Sequence, residues 1–206
     1  MFSGVKLGVR GPAIFINRDG VINCRRPGDY VLNWSQFLFT PDIQTALGQL
    51  ATLRLPMIII SNQAAVSKGL LNASVLQEIT AQMHQALLAA GVSLAAAYYC
   101  THRADENCAC RKPKPALLHQ AADDFNIDLS QSIFIGDSET DMQAGLAAGC
   151  QPIAFGACLC ESRDSLPWRG SLPVARTAKE LFDVAVKCLQ DRGQDAVGVG
   201  AAQDPR

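Results

Sequence analysis

The chain has 206 residues, of which 49% are hydrophobic and 18% charged, with a net charge of −1; this is the profile of one globular domain with a substantial core. No apolar run is long enough to span a bilayer and no basic face stands out, so neither a membrane nor a nucleic acid is an expected partner. Met1 to Arg10 lack the apolar stretch of a signal peptide, and eight cysteines in that context point to a cytoplasmic, reducing setting with thiols or metal ligands instead of a disulfide framework.

Ala13 to Ile16 read as a strand buried on both faces. Polarity then changes at once to Asn17-Arg18-Asp19, and Gly20 permits a tight turn. Asp19 faces the crevice beyond the carboxyl ends of the strands, where open α/β sheets bind ligands; an ordinary Asn/Asp/Gly turn is the plainer alternative. Residues 24–31 show no periodicity and form a loop over that crevice, in which Arg25 and Arg26 either meet an anionic substrate or form a solvated pair. Thr40-Pro41-Asp42 predicts a helix start with Thr40 as N-cap, followed by an apolar face of Ile43, Ala46, Leu47, Leu50 and Leu53.

A second strand, Pro56 to Ile60, ends in Ser61-Asn62-Gln63. The hydroxyl of Ser61 and the amide of Asn62 can hold phosphate oxygens there, or only cap a turn. The next helix is predicted over 73–90, with Val75, Leu76, Ile79, Met83, Leu87 and Leu88 on its apolar face. A third strand, Ala95 to Tyr99, leads into Cys100-Thr101-His102 and, after a short polar loop, Cys108-Ala109-Cys110. Cys100, His102, Cys108 and Cys110 are the ligand set of a closed, structural zinc site, against the alternative of clustered reduced thiols. Such an ion can order a loop with little apolar surface to bury.

Arg111-Lys112-Pro113-Lys114-Pro115 follows as a stiff positive corner before a helix over 116–125. A fourth strand, Ser132 to Ile135, ends in Gly136-Asp137-Ser138-Glu139-Thr140-Asp141, and the helix after it carries small residues at Ala144, Gly145, Ala147 and Ala148. A fifth strand covers Pro152 to Phe155; residues 157–173, with Cys158 and Cys160 as free thiols, read as irregular; Thr177 to Gln190 forms a last helix. One domain over 1–192 and a disordered Gly/Ala-rich tail over 193–206 are the expected organisation. Alternating strands and helices predict a three-layer, Rossmann-like α/β fold with a mainly parallel sheet. One sheet edge then carries Asn17 and Asp19, Ser61 and Asn62, Lys112, Asp137 and Asp141, a set suited to phosphoryl transfer.

These strand-end motifs, together with the Cys-x-His…Cys-x-Cys loop directly before Arg-Lys-Pro, resemble the haloacid dehalogenase (HAD) phosphatase superfamily over about residues 12–156. The likeness is to the branch that contains the heptose-bisphosphate and histidinol-phosphate phosphatases. It implies an aspartyl-phosphate mechanism with Asp19 as general acid/base and Ser61 and Lys112 on the transferred phosphate. It further implies Arg111 as a substrate contact beside Asn62, Arg25 and Arg26, and a magnesium ion held at Asn17, the Asp19 carbonyl and Asp137. No separate cap domain fits between the motifs. A monomer acting on a small phosphorylated metabolite is expected. The departure is Asn17, which stands where the family has its nucleophilic aspartate; an amide cannot form an acyl-phosphate. Ala64-Ala65 and Lys68 also replace a usual Ser-Gly and Arg. The expectation is therefore an impaired or inactive heptose 1,7-bisphosphate phosphatase, with a natural non-catalytic phosphate binder, a histidinol phosphatase and a DNA 3′-phosphatase as alternatives.

Overall fold

The computed structural model describes residues 10–156 and 172–198. Six strands form one sheet in the order β3-β2-β1-β4-β5-β6, and every pairing is parallel. The strands are β1 (Ile14–Ile16), β2 (Met57–Asn62), β3 (Ala96–Cys100), β4 (Ile133–Gly136), β5 (Gln151–Phe155) and β6 (Val174–Ala175). Helices α1 (Ile43–Ala51), α2 (Ala73–Ala89), α3 (Ala116–Phe125), α4 (Glu139–Ala148) and α5 (Ala178–Gly198) connect or follow them.

Strand alternation divides the core in two. Ile14 and Ile16 face the layer of α1, α2 and α5, whereas Ala13 and Phe15 face α3 and α4. All four are fully buried, as the continuous apolar run requires of a central parallel strand. The strand order reverses between β1 and β4, so the crevice at their carboxyl ends is the topological switch point of the sheet. Asn17 and Asp137 directly follow those two strands. Among the described residues no inserted cap domain interrupts the sheet, and no helix is long and apolar enough to cross a membrane.

Several predicted bounds shift. Helix α1 starts at Ile43, not at Pro41: Asp42 adopts a left-handed conformation (φ 60°), and the Thr40 carbonyl accepts from Ile43 N at 3.1 Å, making a turn before the helix. Strand β2 runs on through Ser61 and Asn62, which pair with Tyr99 and Cys100. Leu88 is 55% exposed, because one further step of 100° carries it off the stripe of Leu76, Ile79, Met83 and Leu87. Ala147 on α4 is likewise exposed.

Strand β6 has two residues, too few to show alternation in sequence. Helix α5 continues past Gln190 and Gly193 to Gly198, where a disordered tail is predicted from 193; a single interior glycine costs only about 1 kcal/mol. Arg192 on α5 donates to the Ser130 carbonyl and, at 2.7 Å, to the Gly149 carbonyl after α4. Cys158, Cys160 and residues 199–206 lie outside the described residues.

Leu47, fully buried on α1, and Leu88 provide a matched test of this burial map. Leu47→Ala should lower unfolding free energy by about 2–5 kcal/mol, and Leu88→Ala by no more than about 0.5 kcal/mol, read from urea midpoints.

Candidate active site

A cleft of about 770 Å³ opens at the switch point. It brings together Asn17, Asp19, Arg25, Ser61, Asn62, Arg111, Lys112 and Asp137 from five separate stretches of chain. Arg26 lies outside it. That residue pairs with Asp29 at 2.8 Å and lines an adjoining cavity of about 400 Å³ with Tyr30 and Lys68.

Lys112 is the centre of the cleft floor and is only 3% exposed. Its Nζ donates to Asn17 Oδ1 at 2.9 Å and to the Ile60 carbonyl at 2.8 Å, and forms an ion pair with Asp141 at 2.6 Å. It therefore sits inside the protein and not on the positive corner predicted from its neighbours. Lys114 also lines the cleft, with its ammonium tied to the rim by donation to the Asn107 and Cys108 carbonyls. Asn62 spends both ends of its amide on Lys112: Oδ1 accepts from Lys112 N at 3.1 Å and Nδ2 donates to Lys112 O at 3.2 Å. Its place is thus to fasten the Lys112 backbone to β2, where the sequence places a substrate contact.

Asn17 has a fixed orientation. Its Oδ1 accepts from Arg18 N and Lys112 Nζ, each at 2.9 Å. Its Nδ2 donates to the Asp19 carbonyl and Asp137 Oδ1, each at 2.9 Å, and to Asp141 Oδ2 at 3.3 Å.

Asp19 is held by three neighbouring side chains. Arg18 meets both carboxylate oxygens at 2.9 and 3.0 Å, Asn23 donates to Oδ1 at 3.0 Å, and Gln63 to Oδ2 at 2.6 Å. Burial alone would raise its pKa, but the Arg18 guanidinium and these donors outweigh burial and hold it below the ordinary carboxylate value. Asp137 moves the other way. Burial and then the charge of Asp141 push it up to about 6, against the pull of Arg25, whose guanidinium lies 3.2 Å away.

Two residues with a part in the site escape sequence reasoning. Gln63 bridges Asp19 Oδ2 and Ser61 Oγ, at 2.6 and 2.9 Å, and so ties the acidic turn to the end of β2. Arg18, fully buried, stacks toward the Phe37 ring at 6.0 Å while it holds Asp19. Their adjacency to Ser61 and Asp19 was the available signal.

Beside the cleft, Cys100, His102, Cys108 and Cys110 converge. Their ligand atoms all lie within 4.8 Å of one another, with Cys100 Sγ 3.5 Å from Cys108 Sγ and His102 Nδ1 3.3 Å from Cys110 Sγ. Ligands 2.0–2.3 Å from one tetrahedral ion would stand about 3.3–3.8 Å apart, so the four could hold a single ion. Arg111 borders this cluster, donating to the His102 carbonyl at 3.1 Å while it lines the cleft.

A family model described as HAD-hydrolase-like matches residues 109–157. The D-glycero-β-D-manno-heptose-1,7-bisphosphate 7-phosphatase of Helicobacter pylori strain J99 is 40% identical over 137 residues, covering 66% of this chain and 78% of its own. The enzyme of that name from Bordetella bronchiseptica is 31% identical over 180 residues, covering 86% and 98%. The crystal structure of D,D-heptose 1,7-bisphosphate phosphatase from B. bronchiseptica, complexed with magnesium and phosphate, superposes with a TM-score of 0.77 at 30% identity over 87% of this chain and 99% of that one.

The chain belongs to the heptose-bisphosphate branch of the HAD-like phosphatases. Its family chemistry is hydrolysis of phosphoric monoesters. Magnesium accompanies the Bordetella structure, and the donor set here can be tested against such an ion. Magnesium takes oxygen lone pairs in a near-ideal octahedron. At position 17 this chain turns an N–H2 group, not an oxygen, toward Asp137 and the Asp19 carbonyl. The magnesium site implied at Asn17, Asp19 and Asp137 is therefore not matched by these residues.

Gly20 is the backbone device that lets the turn approach Asp137. Its φ is +90°, and a Cβ there would fall 2.0 Å from Asp137 Oδ2. Gly20→Ala should destabilise the protein by about 1–3 kcal/mol in urea melts, since neither the dihedral nor the contact is available to alanine.

Proposed function

We propose that this chain binds a small phosphorylated sugar of the heptose 1,7-bisphosphate class in the switch-point cleft and hydrolyses it far more slowly than its relatives do. The observation that carries the reading is the combination of a phosphatase cleft with Asn17 at its centre. The amide nitrogen's lone pair is delocalised into its carbonyl and the neutral amide oxygen is a poor nucleophile, so the covalent route is closed. What remains is direct attack by water. Asp19 is ionised and can take the proton of that water and return it to the departing sugar oxygen, while Arg18, Asn23 and Gln63 lower its basicity, in keeping with slow hydrolysis.

Charge supports a sugar bisphosphate over histidinol phosphate. Arg25 and Arg111 both line the cleft, and a second phosphate suits them better than the cationic amine of histidinol phosphate. A purely binding role is the second reading. It draws on Ala64 and Ala65, which are buried in the turn after β2 and offer no polar side chain to a ligand.

The Cys100, His102, Cys108 and Cys110 cluster we read as a structural zinc site. Three sulfurs and one imidazole nitrogen suit this ion, and four protein ligands leave no open position for chemistry.

Phosphate release by the wild type and Asn17→Asp, with magnesium present, tests the catalytic reading across heptose 1,7-bisphosphate, sugar monophosphates and histidinol phosphate. Asn17→Asp should be faster by several orders of magnitude, on the scale of the ~10⁶-fold that loss of a nucleophile costs elsewhere. Comparable turnover in the two forms would refute it; no turnover in either, with binding retained, would favour the binding role.

For the metal loop, elemental analysis of protein purified without added metal should find about one zinc per chain. Cys108→Ser should lower the melting temperature by roughly 6–12 °C, the shift that matches about 3 kcal/mol in a chain of this size. A zinc-free protein that melts at the same temperature would sink this assignment.

A further inference from the structure

The direction of the Asn17 amide is set from both sides. Arg18 N and Lys112 Nζ present only hydrogens to its Oδ1, and the Asp19 carbonyl and Asp137 present only lone pairs to its Nδ2. Rotating the amide by half a turn would set two donors against its N–H2 group and two acceptors against its oxygen. The N–H2 group is consequently held where oxygens of Asp19, Asp137 and Asp141 converge, at 2.9, 2.9 and 3.3 Å. A convergent oxygen set is what a hard cation takes, and here two polarised hydrogens meet it instead.

The charges close as well. Each of these three carboxylates already has a cation of its own: Arg18 on Asp19 at 2.9 Å, Arg25 on Asp137 at 3.2 Å, and Lys112 on Asp141 at 2.6 Å. An aspartate at 17 would add one unpaired negative charge to this set; asparagine adds none.

We propose that this chain holds its phosphorylated ligand without a divalent cation. The Asn17 amide stands between the oxygens that would ligate the ion, and the three carboxylates that supply them are already paired with cations of this chain. Positive field for the phosphate comes from Arg111 and Lys114, which line the cleft outside these three pairs. Only the identity of the ligand rests on the functional reading above; the loss of the cation stands on the geometry at Asn17.

Manganese(II) alone, followed by the loss of its free electron-spin-resonance signal, tests the metal half on the wild type and Asn17→Asp. The aspartate form should bind manganese at least about tenfold more tightly, since it regains an anionic oxygen where an N–H2 group now points. Equal affinity in the two forms, or no binding in either, would overturn the assignment to the amide. Calorimetry of the wild type with inorganic phosphate tests the ligand half without any variant. Equal affinity in chelator and in magnesium is expected. Binding that appears only with magnesium would overturn the proposal while leaving the cleft a phosphate site. No phosphate binding under either condition would defeat the reading of the cleft itself, and the ligand half of the proposal with it.

Discussion

Three acceptors crowd the buried ammonium of Lys112: the Asn17 amide oxygen, the Ile60 carbonyl and the carboxylate of Asp141. Two of its three N–H donors go to the amide oxygen and the carbonyl, and its charge is paired with the carboxylate at 2.6 Å. Asp141 is completely buried, so its charge depends on this lysine; removing one member of such a pair costs about 3–5 kcal/mol. The same ammonium determines which atom of residue 17 faces it, and thereby what faces the opposite side. Chemistry at the sheet edge is in this sense decided on the lysine side of residue 17.

The scaffold is that of a phosphatase, and most of its polar network survives the exchange of an acid for an amide. Aspartate and asparagine have nearly the same shape, so Arg18 N and Lys112 find an oxygen in either. Only the second terminal atom differs, and it changes from acceptor to donor. A site can keep its fold, its ion pairs and its cleft while the sign of one lone-pair position is reversed. On the reading proposed above, belonging to the family and performing its reaction are separable properties, and the difference resides in that single atom.

The layered architecture was readable because most strands and helices carried an apolar run or period that matched their environment. Continuous apolar runs at 13–16 and 56–60 became central strands, and residues 116–125 became α3 with the same bounds. The joining of Asn17, Asp19, Ser61, Lys112 and Asp137 followed from the parallel sheet, which opens all strand ends on one edge. Contacts made by side-chain direction were not readable. Nothing in the order of residues says that Asn62 turns to the backbone of Lys112, that Lys112 folds inward, or that Arg26 is taken by Asp29. Short elements escaped for a different reason: two residues in β6 cannot display a period, and the left-handed Asp42 delays α1 through backbone geometry alone.

The paired hydrogen bonds of Asn62 to the backbone of Lys112 have a consequence beyond holding one residue. Lys112 follows Cys110 by two positions, so the loop of sulfur ligands and the floor of the cleft share one short, doubly anchored segment. Two binding events that order the same segment are thermodynamically linked, and the linkage is reciprocal. If an ion in the loop steadies Lys112 and thereby favours an anion in the cleft, the anion must favour the ion by the same factor. Retention of the loop's ion against a competing chelator would then report on occupancy of the cleft without any measurement of turnover.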